Sequence, residues 1–232
     1  MRAGLGRALR RAVLFLVPAL PAGAQAPQLY GPQPPAGSAF IRFVNATPSD
    51  LSVQPDFAAA QSLGTAPDAR VSAYLVVERV ANRSLAVVAR SGDRSGRTTL
   101  HATAGQFVTV MVQAAPDGRL VAQSVPDPGS FNQARAHLAF YNAMQGCPAA
   151  LRVAPDGPAI FDDVAPGTAR TRTVNPALAR LGAACGEAHA PPFALEGLEA
   201  GGRYSIWLLP GRDLPIAFLT RDAVPGGWQP GR

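Results

Sequence analysis

The sequence predicts an all-β protein made of two tandem Ig-like β-sandwich domains, joined by a short linker and related by internal duplication. Three observations support this prediction: an internal repeat, short apolar segments separated by turn residues, and a composition rich in Gly and Pro. The 232 residues include 23 Gly and 23 Pro, and only 16% of them are charged. A hydrophobic content of 47% is sufficient for a packed core.

The internal repeat consists of two separated matches that share one offset. Residues 41–46 (IRFVNA) align with residues 138–143 (LAFYNA), which lie 97 residues later. Gly105 precedes an apolar run and a turn, and Gly202 does the same, again 97 residues later. A repeat of this length indicates a duplicated domain rather than a solenoid. Residues 125–130 (VPDPGS), between the halves, have the composition of a linker.

Each half is predicted to be a series of short strands separated by turn-forming residues. The run at 106–114 is apolar on both faces, which is typical of a central strand. One helical turn is predicted in the second half, with Asn175 as its cap, Pro176 at the first helical position and Gly182 at its end. The predicted strands are 39–45, 50–54, 71–77, 85–90, 97–102, 106–114, 119–124, 136–142, 150–153, 170–174, 192–198, 203–209 and 215–220.

Residues 1–24 have the pattern of a cleavable export signal. Four Arg precede a short apolar run, and Ala22-Gly23-Ala24 is a small-x-small cleavage site. The apolar run is too short to span a membrane. We therefore expect a soluble periplasmic protein that is not membrane-spanning, with domains at 25–127 and 128–223 and a flexible tail at 224–232.

Removal of the signal changes the charge balance. The whole chain has a formal net charge of +6, but loss of four Arg leaves 17 basic against 15 acidic residues, a net of +2. This balance argues against a nucleic-acid partner. All basic residues are Arg, a choice that suits bidentate binding of carboxylates but is also typical of a high-GC genome.

The two cysteines, Cys147 and Cys185, both lie in the second half. In an exported domain such a pair predicts one disulfide. Metal binding is the disfavoured alternative, because the chain has no CxxC motif and His189 is the only histidine nearby. We expect neither a metal nor another cofactor.

No catalytic constellation is predicted. Residues 91–96 (SGDRSG) loosely resemble a Gly-Asp-Ser nucleophile block, but Arg94 interrupts it and a hairpin turn is the better interpretation. Asp162 and Asp163 would point to opposite faces of a strand and are predicted to lie in a solvated turn. The three histidines have no metalloenzyme spacing; they are His101, His137 and His189.

Several features are candidate binding surfaces. An arginine-rich stretch could face an anionic polymer or an acidic partner, or could be a solvated sheet face; its members are Arg70, Arg79, Arg83, Arg90, Arg94 and Arg97. Tyr30 and Trp228 are aromatic residues in Pro-rich flanks that could dock on a partner. Asn45 and Asn142 occupy equivalent repeat positions and are predicted to be structural, because Asn tolerates left-handed turns.

The segment that leads into the first strand resembles the N-terminus of the AlgF family, the periplasmic accessory proteins of alginate O-acetylation. The resemblance covers under a tenth of the chain. The matching positions are Leu29, Tyr30, Gly31, Pro32, Gly37, Ser38, Ala39, Phe40, Arg42, Asn45 and Ala46.

This resemblance implies a non-enzymatic adaptor in O-acetylation of an exopolysaccharide, either alginate or a cellulose-like polymer. Its partners would be periplasmic O-acetyltransferases and the periplasmic side of a membrane O-acyltransferase. Tyr30 and Arg42 are the residues predicted to contact a partner. The alternative is an envelope β-sandwich module that recognises glycan or another envelope protein.

Overall fold

The computed structural model describes residues 34–127 and 134–223, and these form four β-sheets with no α-helix among them. Tyr30, Trp228, the export signal and the tail lie outside the described residues. The strands of the first half are β1 (Ala39–Asn45), β2 (Leu51–Pro55), β3 (Gln61–Leu63), β4 (Leu75–Val77), β5 (Leu85–Ser91), β6 (Arg94–Leu100), β7 (Phe107–Ala114) and β8 (Leu120–Pro126). Those of the second are β9 (Ala136–Asn142), β10 (Ala149–Val153), β11 (Ala159–Val164), β12 (Thr168–Val174), β13 (Ala179–Cys185), β14 (Ala188–His189), β15 (Phe193–Leu195), β16 (Arg203–Leu209) and β17 (Ile216–Arg221).

The two halves repeat one topology, as the duplication predicts. Each half has an inner sheet, β4-β1-β7-β8 in the first and β12-β9-β16-β17 in the second. In both inner sheets the first strand of the half pairs in parallel with a late strand, β1 with β7 and β9 with β16. The outer sheets are β3-β2-β5-β6 and β11-β10-β13, with β14 and β15 both pairing with β13. The prediction of two β-sandwich domains is confirmed.

The two sandwiches pack on each other through their inner sheets. Within each half, an apolar cluster lies between inner and outer sheets. A third cluster lies between the two inner sheets and joins Val44 and Met111 of the first half to Tyr141, Trp207 and Phe218 of the second. The sheets are therefore stacked in four layers, with the inner pair covered on both faces.

This stacking explains why the central strands are apolar throughout. All seven residues of β1 and all seven of β9 are buried, whereas β2 alternates between buried and exposed residues. In an isolated sandwich, one face of β1 would be in water and should be polar. The second apolar face exists because the other half of the molecule covers it.

The sequence missed three strands of the second half, β11, β13 and β14, and one of the first, β3. The helical turn predicted after Asn175 is wrong: residues 175–178 have no regular structure and β13 begins at Ala179. The cap-like pattern was overridden by pairing of β13 with β10 and β15, which satisfies its backbone groups in a sheet. Asp162 and Asp163 lie in strand β11 rather than a turn, at a bulge where Asp163 has φ of 51°.

Asn45 and Asn142 are structural, but for a reason other than left-handed geometry. The side-chain amide of Asn45 donates to the carbonyl oxygens of Ser49 and Gly64, and its oxygen accepts from the Thr47 amide. Asn142 in the second half likewise donates to the carbonyl of Val164 and accepts from the Met144 amide. Each Asn therefore ties the end of an inner strand to the loops of its own half.

Candidate functional site

Arg42, in the middle of β1, is a buried charged residue whose hydrogen bonds reach both halves of the molecule. Its side chain is 1% exposed and lies between the two halves. Such a charge is tolerated in a core only when its hydrogen-bonding groups find partners. Three side chains of the second half supply them, together with Thr109 of the first.

The hydrogen bonds of Arg42 use all three nitrogens of its guanidinium group. Nε donates to Thr109 Oγ1 at 2.8 Å, and Nη1 donates to Asp222 Oδ1 at 2.7 Å. Nη2 donates to Tyr141 OH at 3.0 Å and to Ser205 Oγ at 2.9 Å. The planar fork of arginine allows one side chain to hold partners in three different strands and at the end of β17.

A second carboxylate, Asp127, completes this arrangement. Tyr74 and Tyr141 each donate a hydroxyl to Asp127 at 2.6 Å, and Thr109 Oγ1 lies 2.9 Å from Asp127 Oδ1. Asp127 belongs to the first half and Tyr141 to the second, so this acid also links the two sandwiches. We call the group formed by Arg42, Tyr74, Thr109, Asp127, Tyr141, Ser205 and Asp222 the Arg42 cluster.

Aromatic rings enclose the guanidinium. Its central carbon lies 4.5 Å from the ring centre of Tyr74, 4.9 Å from that of Trp207 and 5.4 Å from that of Tyr141. Tyr141 and Trp207 are stacked on each other with centroids 4.2 Å apart. Desolvated cation–π contacts of this kind add to the stability of the cluster.

The environment keeps every tyrosine of the cluster protonated and the arginine charged. Burial raises the pKa of Tyr74 and that of Tyr141 well above the usual range, with Asp127 contributing in the same direction. For Arg42, burial opposes the charge, but Asp222 together with Tyr74, Tyr141 and Asp127 more than offsets it, and the pKa lies well above its ordinary value. Tyr74, Tyr141 and Arg42 therefore all keep their protons near neutral pH.

The predicted partner contact of Arg42 does not fit this geometry. The side chain lies between the halves and is only 1% exposed, although Arg42 and Asp222 line a cleft of about 370 Å³. Arg42 instead acts as an internal connector. The sequence could have indicated this internal role, because Arg42 is the one charged residue in the apolar run 40–44 and a charge in a buried strand requires a buried counter-charge. Thr109 and Ser205, single polar residues in apolar strands, carried the same signal.

The residues considered for catalysis are dispersed. The described residues hold no group of three or more His, Cys, Asp or Glu side chains arranged to bind a metal. Ser91 ends strand β5 and donates its hydroxyl to the carbonyl of Asp50 at 2.7 Å, and Gly92 begins the predicted hairpin turn with φ of 58°. His101 and His189 are exposed in different halves.

His137 is the buried histidine, 3% exposed at the start of β9. Burial, reinforced by the positive charge of Arg203, lowers its pKa to about 4, while Asp222 opposes this change. His137 is therefore neutral in the folded protein at neutral pH. Its ordinary pKa of 6.5 applies once the chain unfolds.

We expect the free energy of unfolding to fall as the pH drops from 6.5 towards 4. In this window the unfolded chain binds a proton at His137 that the folded chain does not, so acid favours unfolding; the contribution is about 3 kcal/mol. Urea unfolding across this range measures it. The variant His137→Gln should reduce the change in unfolding free energy with pH relative to wild type. The variant His189→Gln, at an exposed position, should not. Equal slopes in all three proteins would contradict this assignment.

Of the six arginines in the arginine-rich stretch, one is buried and the other five are more accessible to solvent. Arg70 is 4% exposed and donates to the carbonyl oxygens of Asn45, Thr47 and Thr65, so it holds a loop rather than facing a ligand. Arg83 is half-buried, and the remaining four are exposed. Two of these, Arg90 and Arg97, lie on the outer face of sheet β3-β2-β5-β6.

The disulfide prediction is confirmed. Cys147 and Cys185 are bonded, with their Cα atoms 5.5 Å apart. Cys185 ends β13, and its cross-strand neighbour Ala149 starts β10, two residues after Cys147. The crosslink therefore pins one end of the outer sheet of the second half, away from the Arg42 cluster.

Comparisons with known proteins identify no family. No family model matches the chain, and there is no match among curated proteins. One similar solved structure is CBMbc (family CBM26) from Eubacterium rectale Amy13K in complex with maltoheptaose. It has 8% sequence identity and a TM-score of 0.25, and the match covers 82% of this chain and 99% of that one. This superposition is too poor to bear on the ligand of this chain.

The described part of the chain contains no helix that is both long enough and apolar enough to cross a lipid bilayer.

Proposed function

We propose that this protein is a periplasmic, non-catalytic adaptor in the O-acetylation of an exopolysaccharide, alginate or cellulose-like. It would hold periplasmic O-acetyltransferases near the periplasmic side of a membrane O-acyltransferase. The AlgF-like segment that ends at Ala46 supports the pathway. The observation that carries the adaptor role is the joining of two sandwiches by a buried cluster of hydrogen bonds.

A rigid connection suits an adaptor because it fixes the distance between two binding surfaces. Stacked sheets lie about 10 Å apart, so the outer faces of a four-layer stack are separated by about 30 Å. Most inter-domain contacts within a chain permit relative motion unless they are large and apolar. Here Trp207 and Tyr141 pack against Val44 and Met111, and the Arg42 cluster adds charged hydrogen bonds. Partners bound to the two outer sheets would therefore keep one relative position.

Gene deletion and reconstitution test this proposal. Loss of the gene should abolish polymer acetylation while polymer synthesis continues, and the tagged protein should co-purify with a transferase. Purified protein should release no acetate from a model ester. A strain complemented with the double variant Ser91→Ala, Ser95→Ala should acetylate normally, because neither serine has a catalytic role in the adaptor.

Two outcomes would overturn the adaptor. Ester hydrolysis by the purified wild-type protein would establish an enzyme, and its loss in the serine variant would locate the nucleophile. Normal acetylation in the deletion strain would remove the protein from the pathway. Binding to polymer without any protein partner would favour the alternative of an envelope glycan-binding module.

A further inference from the structure

A groove crosses the outer face of the first sandwich. Two neighbouring clefts form it, of about 480 and 490 Å³, and Arg90 lines both of them. The first cleft lies over the ends of β2, β3 and β5, with Ser52 and Ser62 in its wall. The second runs from β6 onto β8, with Arg97 and Arg119 in its wall. The two clefts meet at Arg90, and together their linings include residues of five strands in two sheets.

The strand register places two arginines side by side in this groove. Arg90 on β5 pairs with Ser95 on β6, and Val88 pairs with Arg97. Arg90 and Arg97 thus share the outer face as diagonal neighbours, a relation that sets side-chain origins about 7–8 Å apart. Alternate residues of β5 are buried on the opposite face, which keeps Arg90 directed outwards.

The floor of the groove depends on close contact between β6 and β8. A side chain at Gly96 would meet the carbonyl oxygen of Leu120, so only glycine lets the two strands approach this closely. This contact brings Arg119, next to the start of β8, to the same cleft as Arg97. Without it, the outer sheet and the inner sheet would be separated by a gap at this edge.

The groove carries positive charge with little opposing acid. Among the described residues, neither Arg90 nor Arg97 forms a salt bridge. Arg119 pairs with Asp117 through Nε, which leaves its two terminal nitrogens for other acceptors. Asp50, at the far end of the first cleft, is the acidic residue among the lining side chains. An anion would gain charge-assisted hydrogen bonds here without first displacing a strong internal partner.

The chemistry of the lining points to an acidic rather than a neutral ligand. Neither cleft is lined by Trp, Tyr or Phe, the side chains that offer a flat apolar contact. Instead, guanidinium groups match carboxylates in geometry, and the hydroxyls of Ser52, Ser62, Ser95 and Thr98 can exchange hydrogen bonds with sugar hydroxyls. Two open clefts that share Arg90 suit a chain of several sugars rather than an enclosed small molecule.

We propose that this groove binds a linear, carboxylate-bearing polysaccharide directly, with Arg90 and Arg97 as its principal contacts. The inference does not depend on the adaptor function, because it concerns one outer face and requires no second protein. A polymer bound here would lie on the first sandwich, and the outer sheet of the second would stay accessible.

Titration calorimetry of the exported full-length protein with oligogalacturonate tests the proposal. We expect binding that weakens with salt, and no binding of a neutral cello-oligosaccharide. The double variant Arg90→Gln, Arg97→Gln should lose affinity by about tenfold or more, since each tenfold step corresponds to about 1.4 kcal/mol. The matched control Arg79→Gln, Arg212→Gln removes the same charge from exposed positions outside the groove and should bind like wild type.

Three results would overturn it. Equal affinity loss in both double variants would show a general charge effect, and no loss in the groove variant would exclude these arginines. Binding of polyglutamate as tight as that of oligogalacturonate would assign the face to acidic proteins instead. Co-purification with a transferase tests the adaptor function separately. The groove variant should still co-purify whether or not it binds the polymer.

Discussion

Replacing Arg42 with Ala should lower the free energy of unfolding by about 3–5 kcal/mol, the range expected when one member of a buried ion pair is removed. The variant would leave Asp222 buried without its cation and would remove a donor from Tyr141 and Ser205. It would also open a cavity between the rings of Tyr74 and Trp207. The substitution should therefore weaken the contact between the two halves in particular.

Urea unfolding followed by tryptophan fluorescence measures this effect, because Trp207 packs beside the guanidinium. Arg94→Ala, at the exposed tip of the β5–β6 hairpin, is the matched control and should change stability little. Asp222→Asn alone should also destabilise, and the double variant Arg42→Ala, Asp222→Asn should lose less than the sum of the two. An Arg42→Ala protein as stable as wild type would show that the cluster is not what joins the halves.

Loss of the disulfide should have the second large effect. Cys147 and Cys185 close a loop with a sequence separation of 38, for which the chain-entropy model gives about 4 kcal/mol. Because the bond pins the outer sheet of the second half, the double variant Cys147→Ser, Cys185→Ser should destabilise that half first. The sandwich formed by β1–β8 has a separate apolar cluster and should remain largely folded.

Hydrogen exchange resolved along the chain can distinguish the two halves. Amides of β10 and β13 should lose protection in the cysteine variant, while those of β5 and β7 should retain it. Alkylation of the exported wild-type protein without reductant provides a second check, and it should modify neither thiol. Two modified thiols, or uniform loss of protection in both halves, would contradict the expectation.

The structure changes what the AlgF-like segment means. Gly37 adopts a left-handed turn, Phe40 stacks on Phe107, Arg42 joins the halves and Asn45 ties down a loop. Phe40, Arg42 and Asn45 are buried, whereas Gly37 lies in an exposed turn. The matched residues that the structure describes therefore have mainly structural roles, and which residues contact a partner stays a prediction.

The sequence by itself determined the class of fold, the duplication and most inner strands. The bounds of β1, β9 and β16 were predicted correctly because long apolar runs between turn residues leave one choice of element. The disulfide also followed from the sequence, since the two cysteines lie in one predicted domain and have one possible pairing. Short outer strands such as β3 and β14 were missed, because a few half-exposed residues carry little periodicity.

Only the tertiary structure decided how the halves are joined and which arginines face outwards. Arg42 and Arg90 are both arginines in strands, yet Arg42 is buried and bonded to residues as far as 180 positions away, whereas Arg90 faces solvent. A sequence pattern records which residues are apolar but not which surface covers them. One face of β1 packs on the outer sheet of its own half. Only the structure shows that β9 and β16 of the second half cover the other apolar face.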